Sequence, residues 1–260
     1  MRTQTFYKYQ GTGNDFVMLD NRLSDFDTNN SSLIAHLCNR RFGVGADGLI
    51  LLESDPIYDF KMVYFNSDGE QSSMCGNGGR CIVAFANFLG IINSETQFLA
   101  IDGPHLAVYK DEHVELKMQD VSNIFSKDDY FILDTGSPHY VCLKTNLDLL
   151  DMTSEGALVR YSEPFESSGI NVNFAKKINF DTFAVRTYER GVEAETLSCG
   201  TGSTAVAIAM FHSGQLTSKV VNIKTQGGDL VVRFDPLSSS YSNVWLCGAV
   251  KQVFKGTLEW

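Results

Sequence analysis

A chain of 260 residues and 28.8 kDa exceeds the ordinary size of one core, which leaves one large domain or, as the favoured reading, two of usual size. Hydrophobic residues make up 43%, aromatics 12% and charged residues 20%, a globular composition that excludes a disordered or fibrous chain. Lys and Arg number 21 against 31 Asp and Glu, a formal net charge of −10, so a sequence-independent grip on nucleic acid or on an anionic membrane is disfavoured and a small-molecule partner is expected.

In chain order, the opening MRTQTFYKYQ is polar and aromatic without an apolar h-region, and it reads as a first strand and not as an export signal. Ser31 and Ser32 stand ahead of Leu33, Ile34, Leu37 and Cys38, a helical stripe with a cap. GVGADG at 43–48 matches the glycine pattern of a dinucleotide-binding turn. That turn needs a strand before it and a helix after it. Here the helical pattern comes first and a strand, LILLE, follows, so a turn into a strand is expected and nucleotide binding is not. Residues 58–65 alternate as a strand, and 183–188, 220–224, 230–234 and 243–247 read as further short strands bounded by Gly, Asp, Ser or Pro. Helices are expected at 76–89 and 200–212, apolar on all sides and therefore buried. The longest apolar stretch, 81–92, is interrupted by Asn87 and too short to span a bilayer. The SSSYS cluster at 238–242 reads as a hairpin loop.

Six cysteines (Cys38, Cys75, Cys81, Cys142, Cys199, Cys247) lack paired metal-ligand spacing and read as thiols of a reducing compartment, so a cytoplasmic location and no metal are expected. CGNGGRC lacks the Lys-Ser/Thr pair of a phosphate-binding loop, so ATP is not expected either.

One relation organises the rest. MCGNGGRC at 74–81 has a partner in SCGTGSTA at 198–205, with cysteines 124 residues apart. At that offset Asn66 aligns with Arg190, Gly103 with Gly227 and Gly45 with Gly169, and at 123 Asn14 falls on Ser137. Several matches in register across both halves imply an internal duplication. The chain then consists of two related domains, 1–122 and 123–260, meeting near 119–128.

Both motifs put a cysteine at the mouth of a buried helix, followed by glycine-rich backbone. The positive end of a helix and its unpaired N–H groups stabilise a thiolate and can hold a carboxylate. A pseudo-twofold pair of such sites suits inversion of a carbon stereocentre, with one thiolate removing a proton and one thiol returning another from the opposite face; N–H donors on the carboxylate share the developing charge. Cys38, Cys81, Cys142 and Cys247 lack the Gly-x-Gly context and read as small buried hydrophobes. His139, beside Pro138, reads equally as a base and as a hydrogen-bonded structural residue. Glu189 and Arg190 could form a solvated surface pair, but their match to Phe65 and Asn66 favours a site.

At these residues the chain resembles the diaminopimelate epimerase family over nearly its whole length: GTGNDFVMLDN at 11–21, RRFGVGADGLILLE at 40–53, FNSDGEQSSMCGNGGRC at 65–81, TGSPHYV at 135–141, INVNF at 170–174 and YERGVEAETLSCGTGSTA at 188–205. The resemblance implies a cofactor-independent isomerase interconverting L,L- and meso-diaminopimelate in lysine and peptidoglycan precursor synthesis. It implies an α/β (α+β) fold of two pseudo-symmetric domains, each a curled, mainly antiparallel sheet around a central helix, with the last strand, about 250–260, returning to the first domain. Carried over by motif, Cys75 and Cys199 match the acid/base pair, and Asn14, Asn66, Asn171, Glu189 and Arg190 match substrate-binding positions. Gly76, Asn77, Gly200 and Thr201 match the donors at the two helix starts. Ser137 departs from the family's usual Asn in an NPH turn, leaving Ser137 and His139 as secondary candidates, and Gly48 stands where some members carry Gln. Proline racemases and hydroxyproline epimerases usually carry His where this chain has Asn77; phenazine-type isomerases lack the cysteine pair, and a thiol–disulfide protein would show C-x-x-C. A monomer and a homodimer both stay open.

Overall fold

The computed structural model describes residues 3–72 and 74–259; Met1 and Arg2, at the head of the expected first strand, lie outside the described residues. Two compact units divide the chain. The first runs to Leu116 and resumes at Gly248, and the second is Lys117–Cys247, so the expected boundary at 122/123 falls just inside the second unit.

In the first unit the order is β1 (Thr3–Gly11), β2 (Asn14–Asp20), α1 (Ser31–Cys38), β3 (Gly48–Glu53), β4 (Phe60–Asn66), α2 (Gly76–Phe88), β5 (Glu95–Ala100), β6 (Gly103–Lys110) and β7 (His113–Lys117). The second contributes β8 (Ile124–Lys127), β9 (Tyr130–Asp134), β10 (Pro138–Leu143), α3 (Met152–Arg160), β11 (Asn171–Lys177), β12 (Thr182–Glu189), β13 (Ala194–Thr196), α4 (Gly200–His212), β14 (Val220–Thr225), β15 (Gly228–Pro236) and β16 (Tyr241–Ala249). Finally β17 (Lys251–Glu259) pairs antiparallel with β1, from Thr3 opposite Glu259 to Gln10 opposite Lys251.

Strand pairing repeats. In the first unit β2 runs parallel to β3, β3 antiparallel to β4, β4 parallel to β5 and β5 antiparallel to β6. In the second, β10 and β11, β11 and β12, β12 and β14, and β14 and β15 follow the same sequence of senses. Registers agree too: Phe16 faces Gly48 as His139 faces Asn171, each partner displaced by 123. Most pairs in each unit are antiparallel, and each parallel step encloses one helix, as crossover geometry demands.

Two of these helices, α2 and α4, are central. From Gly76 to Ala86 every residue of α2 is buried, and the helix packs against β1, β2, β3, β4 and β6. α4 packs against β9, β10, β11, β12, β14 and β15, with Gly202–Met210 buried. A sheet that touches one helix with so many strands is curled around it. This explains why the helix sequences show no polar face: over 76–86 and 202–210 no side of either helix meets water.

The sequence reading needs two corrections. α1 is capped by Asn30 and not by Ser31 or Ser32: Ser31 is already helical, while the Asn30 Oδ1 accepts from the Leu33 N–H at 3.0 Å. The reading also missed α3, whose start is held by Asp151 accepting from the N–H groups of Thr153 and Ser154 at 3.1 and 3.3 Å. Gly156 lets that helix lie against β12, since a Cβ there would stand 2.5 Å from the Tyr188 Cβ. The GVGADG segment is a helix-to-strand turn as expected: a Cβ on Gly43 would overlap the His36 carbonyl oxygen, and Gly45 has φ +81°. Among the described residues no helix is long and apolar enough to cross a membrane.

Candidate active site

Cys75 is the residue at the mouth of α2, in extended conformation (φ −97°, ψ 129°), and the Gly79 N–H donates to its carbonyl at 2.7 Å. Its half-buried thiol donates to the Asn14 Oδ1 at 3.5 Å, and the Asn77 Nδ2 donates to the same oxygen at 3.3 Å. Asn14 opens β2, and its own Nδ2 donates to the Asp47 Oδ2 at 2.7 Å. Below them the fully buried Arg80 guanidinium donates to the Asn77 Oδ1 (3.0 Å), the Thr12 hydroxyl (3.2 Å) and the Gly76 carbonyl (3.4 Å). The structure therefore gathers Cys75, Gly76, Asn77 and Asn14 at one point. Asn66 ends β4 opposite Gly48, where a Cβ would lie 2.5 Å from the Phe65 carbonyl oxygen and 2.6 Å from the Tyr64 ring. A side chain at 48 thus requires Tyr64 to move, which accounts for glycine at that position.

Cys199 stands at the mouth of α4 in the same extended conformation (φ −121°, ψ 116°), with the Ser203 N–H on its carbonyl at 2.9 Å. Its sulfur accepts from the Gly202 N–H at 3.4 Å and lies 3.4 Å from the Thr201 hydroxyl. The Thr135 hydroxyl fixes the Thr201 carbonyl at 2.9 Å. Asn171, Arg190 and Ser137 form a second cluster in this unit. The Asn171 Oδ1 accepts from the Arg190 backbone N–H at 2.9 Å, its Nδ2 donates to the Ser137 Oγ at 2.8 Å, and the Arg190 guanidinium reaches the Ser168 carbonyl at 3.1 Å and the Ser137 Oγ at 3.4 Å. Glu189 ends β12, its carboxylate taking the Thr196 hydroxyl at 2.9 Å.

His139 is fully buried, with its Nδ1 3.0 Å from the Asn173 Nδ2. Burial, and then the charge of Arg190, push its pKa down to about 3, so the ring is neutral and held in place. Because the unfolded ring, near 6.5, binds a proton that the folded ring refuses, this residue's stabilising contribution is complete above about pH 6.5 and is lost as pH falls from there toward 3. Urea unfolding below about pH 6 is therefore expected to weaken by up to about 1.4 kcal/mol per pH unit, and His139→Gln to flatten that slope. An unchanged slope in the variant would place the acid sensitivity elsewhere.

Sequence reasoning missed the charged support of Asn14. Asp15 accepts from both terminal guanidinium nitrogens of Arg40 (2.7 and 3.0 Å) and from Lys8 (2.7 Å), and Arg40 also reaches Asp47 at 2.7 Å. Burial raises the Asp15 carboxyl, but the bonds from Arg40 and Lys8 outweigh it and hold it well below the usual carboxylate range. It also missed Asn173, whose Oδ1 takes the Thr187 hydroxyl at 2.9 Å behind the start of α4. Both clusters join residues distant in the chain; only the adjacency of Asn14 and Asp15 within GTGNDFV signalled one of them. Among the described residues, no group of three or more His, Cys, Asp or Glu side chains could hold a metal ion.

The family model for diaminopimelate epimerase matches residues 6–123 and 131–242. A protein of Flavobacterium psychrophilum named diaminopimelate epimerase is 53% identical over 253 residues, covering 97% of this chain and 99% of that one. The namesake from Chlorobaculum tepidum is 40% identical over 258 residues, covering 95% and 98%. The chain belongs to the diaminopimelate epimerase family. Its fold extends further: a PhzF-family phenazine biosynthesis protein from Bacillus anthracis matches at TM-score 0.78 and 11% identity over 100% of both chains. A hydroxyproline epimerase from Agrobacterium vitis matches at TM-score 0.71 and 14% identity, covering 99% of this chain and 92% of its own. At such identities the likeness concerns fold alone. Within this family, the two GxG helix mouths of the chain are the places where cysteine and N–H donors coincide.

Proposed function

We propose that the protein interconverts L,L- and meso-diaminopimelate with Cys75 and Cys199 as its acid/base pair and with no cofactor or metal. The observation that carries this reading is that the two cysteines, equivalent in the internal repeat, each occupy the mouth of the equivalent buried helix. In the proposed reaction one thiolate takes the α-hydrogen as a proton, leaving its bonding pair on carbon. The other thiol delivers its proton to the opposite face, so the stereocentre inverts and the sulfurs exchange charge states. The α-carboxylate, held by N–H groups at 76–77 and 200–201, takes up the developing charge without reorganisation.

The remaining residues fit the two ends of such a substrate. Asn14 and Asn77 serve the Cys75 side. Arg190 suits the distal carboxylate through its planar fork, while Asn66, Asn171 and Glu189 suit ammonium groups. Ser137 acts by holding Asn171 and Arg190, to both of which its hydroxyl is bonded, instead of reaching the substrate as a longer carboxamide would. His139 is assigned a structural role. Six free thiols suit a reducing cytoplasm.

The test is turnover of L,L-diaminopimelate in deuterated water. Early meso product is expected to carry solvent deuterium at the inverted carbon while unreacted substrate keeps its hydrogen, because the returning proton comes from the second sulfur. Product that retains the substrate's own hydrogen would indicate a single base, and turnover of proline in place of diaminopimelate would overturn the substrate assignment.

A further inference from the structure

Glu193 has a backbone conformation that a side chain disfavours. Its φ is +55°, in the left-handed region where residues other than glycine are strained. The other half of the repeat shows the unstrained alternative: Gly69, 124 residues earlier and likewise six ahead of the helix-mouth cysteine, has φ +91°. Donors hold the Glu193 carboxylate on both oxygens. Its Oε1 accepts from the Gly191 N–H and from the Arg160 Nε, both at 3.2 Å, and its Oε2 accepts from the Tyr161 hydroxyl at 3.2 Å. We propose that Glu193 is a positioning residue which, by tying the turn at 189–193 to the end of α3, presets the Arg190 guanidinium for the distal carboxylate of the substrate. This rests on the reading of Arg190 as the clamp for that carboxylate.

Arg190 lies at the tip of a hairpin, beyond the last pair of β12 and β13, Glu189 opposite Ala194, and the Glu193 N–H closes the turn onto the Glu189 carbonyl at 2.8 Å. The residue after Arg190 is an exposed glycine with φ +90°, the most permissive backbone a turn can have. Two bonds remove that freedom. The Gly191 N–H belongs to the peptide plane that follows the Arg190 Cα, and Glu193 holds it; the Arg190 N–H belongs to the plane before, and the Asn171 Oδ1 holds that one at 2.9 Å. The anchor is firm. Arg160, at the end of α3, also donates to the Phe165 and Glu166 carbonyls at 3.3 and 3.4 Å, and its guanidinium carbon stands 4.9 Å over the Tyr161 ring. Both arginines pack on Gly169, where a Cβ would lie 3.0 Å from the Arg160 Cζ and 2.6 Å from the Arg190 Cδ. Their partners differ, however. Glu193 pairs with Arg160, while the Arg190 guanidinium bonds neutral oxygens, those of the Ser168 carbonyl and the Ser137 hydroxyl, and so keeps its charge for an anionic ligand.

Steady-state kinetics of the full-length protein with L,L-diaminopimelate test the proposal. Glu193→Gly leaves a backbone that glycine adopts freely and removes only the carboxylate. KM is expected to rise at least about tenfold with kcat within about threefold of wild type, because the grip that is lost lies at the end of the substrate remote from the inverted carbon. Glu193→Asn, which also accepts positive φ but is too short to reach Arg160, should repeat the result and carries the test if the glycine variant does not fold. Glu193→Gln is expected to keep KM within about threefold of wild type: its amide oxygen can take the Gly191 and Arg160 donors while its NH2 faces the Tyr161 hydroxyl. In an Arg190→Lys background, where the planar fork is already gone, Glu193→Gly should change KM by less than about threefold, whereas a residue serving stability alone would act equally in both backgrounds. KM unmoved in Glu193→Gly and Glu193→Asn, a fall in kcat without a rise in KM, or an equal effect in both backgrounds overturns the proposal. A glutamine variant as impaired as the glycine one overturns it too, because charge and not position would then be acting. Failure of the underlying reading looks different: Arg190→Lys with wild-type KM removes Arg190 from the distal carboxylate, while a raised KM there beside an unmoved Glu193→Gly removes Glu193 alone.

Discussion

Cys75→Ala and Cys199→Ala are each expected to lower epimerisation by about 10²–10⁴-fold, the usual worth of a positioned acid or base. Either change leaves one face of the α carbon without a proton donor or acceptor. The fold should survive, since Cys75 is half-buried at a helix mouth and alanine keeps the backbone N–H groups of both helix starts. The two variants should differ from a dead protein in one respect. With a single sulfur left, the isomer whose α-hydrogen faces it can still exchange that hydrogen with solvent, although it cannot invert. Proton NMR in deuterated water of each pure isomer reads inversion and exchange separately. Near wild-type inversion in either variant would take that cysteine out of the reaction.

Gly202→Ala is expected to lower stability by about 1–3 kcal/mol and to cut turnover at least tenfold. A Cβ at 202 would overlap the Asn173 Oδ1 and lie 3.3 Å from the Cys199 Cβ. Asn173 cannot step aside cheaply. It is fully buried, its Nδ2 lies 3.0 Å from both the Tyr140 carbonyl and the His139 Nδ1, and its Oδ1 takes the Thr187 hydroxyl. Either that network opens, leaving buried polar atoms unpaired, or the first turn of α4 moves and carries Cys199 with it. Thermal unfolding and steady-state kinetics on one preparation measure both effects. A variant with unchanged melting temperature and turnover would show that the helix start has room the geometry denies it.

The duplication made much of this molecule legible before any coordinates. The two cysteine helices, the turn at 43–48 and the strands β1, β3, β4, β12, β14, β15 and β16 were readable because each depends on local pattern. α3 was missed although the repeat contained it: displacing α1 by 124 residues lands on 155–162, against an observed Met152–Arg160. The cause is physical. Only Met152 and Gly156 of that helix are buried, so little apolar periodicity marks it, and its start depends on Asp151 instead. β2 and β5–β11 were not read as strands, and β13, three residues added to the edge of β12, is too short to show a pattern. The support under Asn14 left no trace in the sequence beyond the adjacency of Asn14 and Asp15, because Lys8, Asp15, Arg40 and Asp47 meet only once β1, β2 and the turn before β3 are folded together.

The pairing of β17 with β1 fixes an order of events during synthesis. All of residues 117–247 must emerge before 251–259 do, so the second unit can complete itself while β1 has a neighbour only in β2. At ordinary translation rates that interval is roughly 7–26 s. Throughout it the first unit offers the growing chain a row of unsatisfied N–H and C=O groups along one strand, the kind of template on which chains join one another. Crowded polysomes would feel this most, and the nascent chain is guarded there only by the speed with which its last nine strand residues arrive.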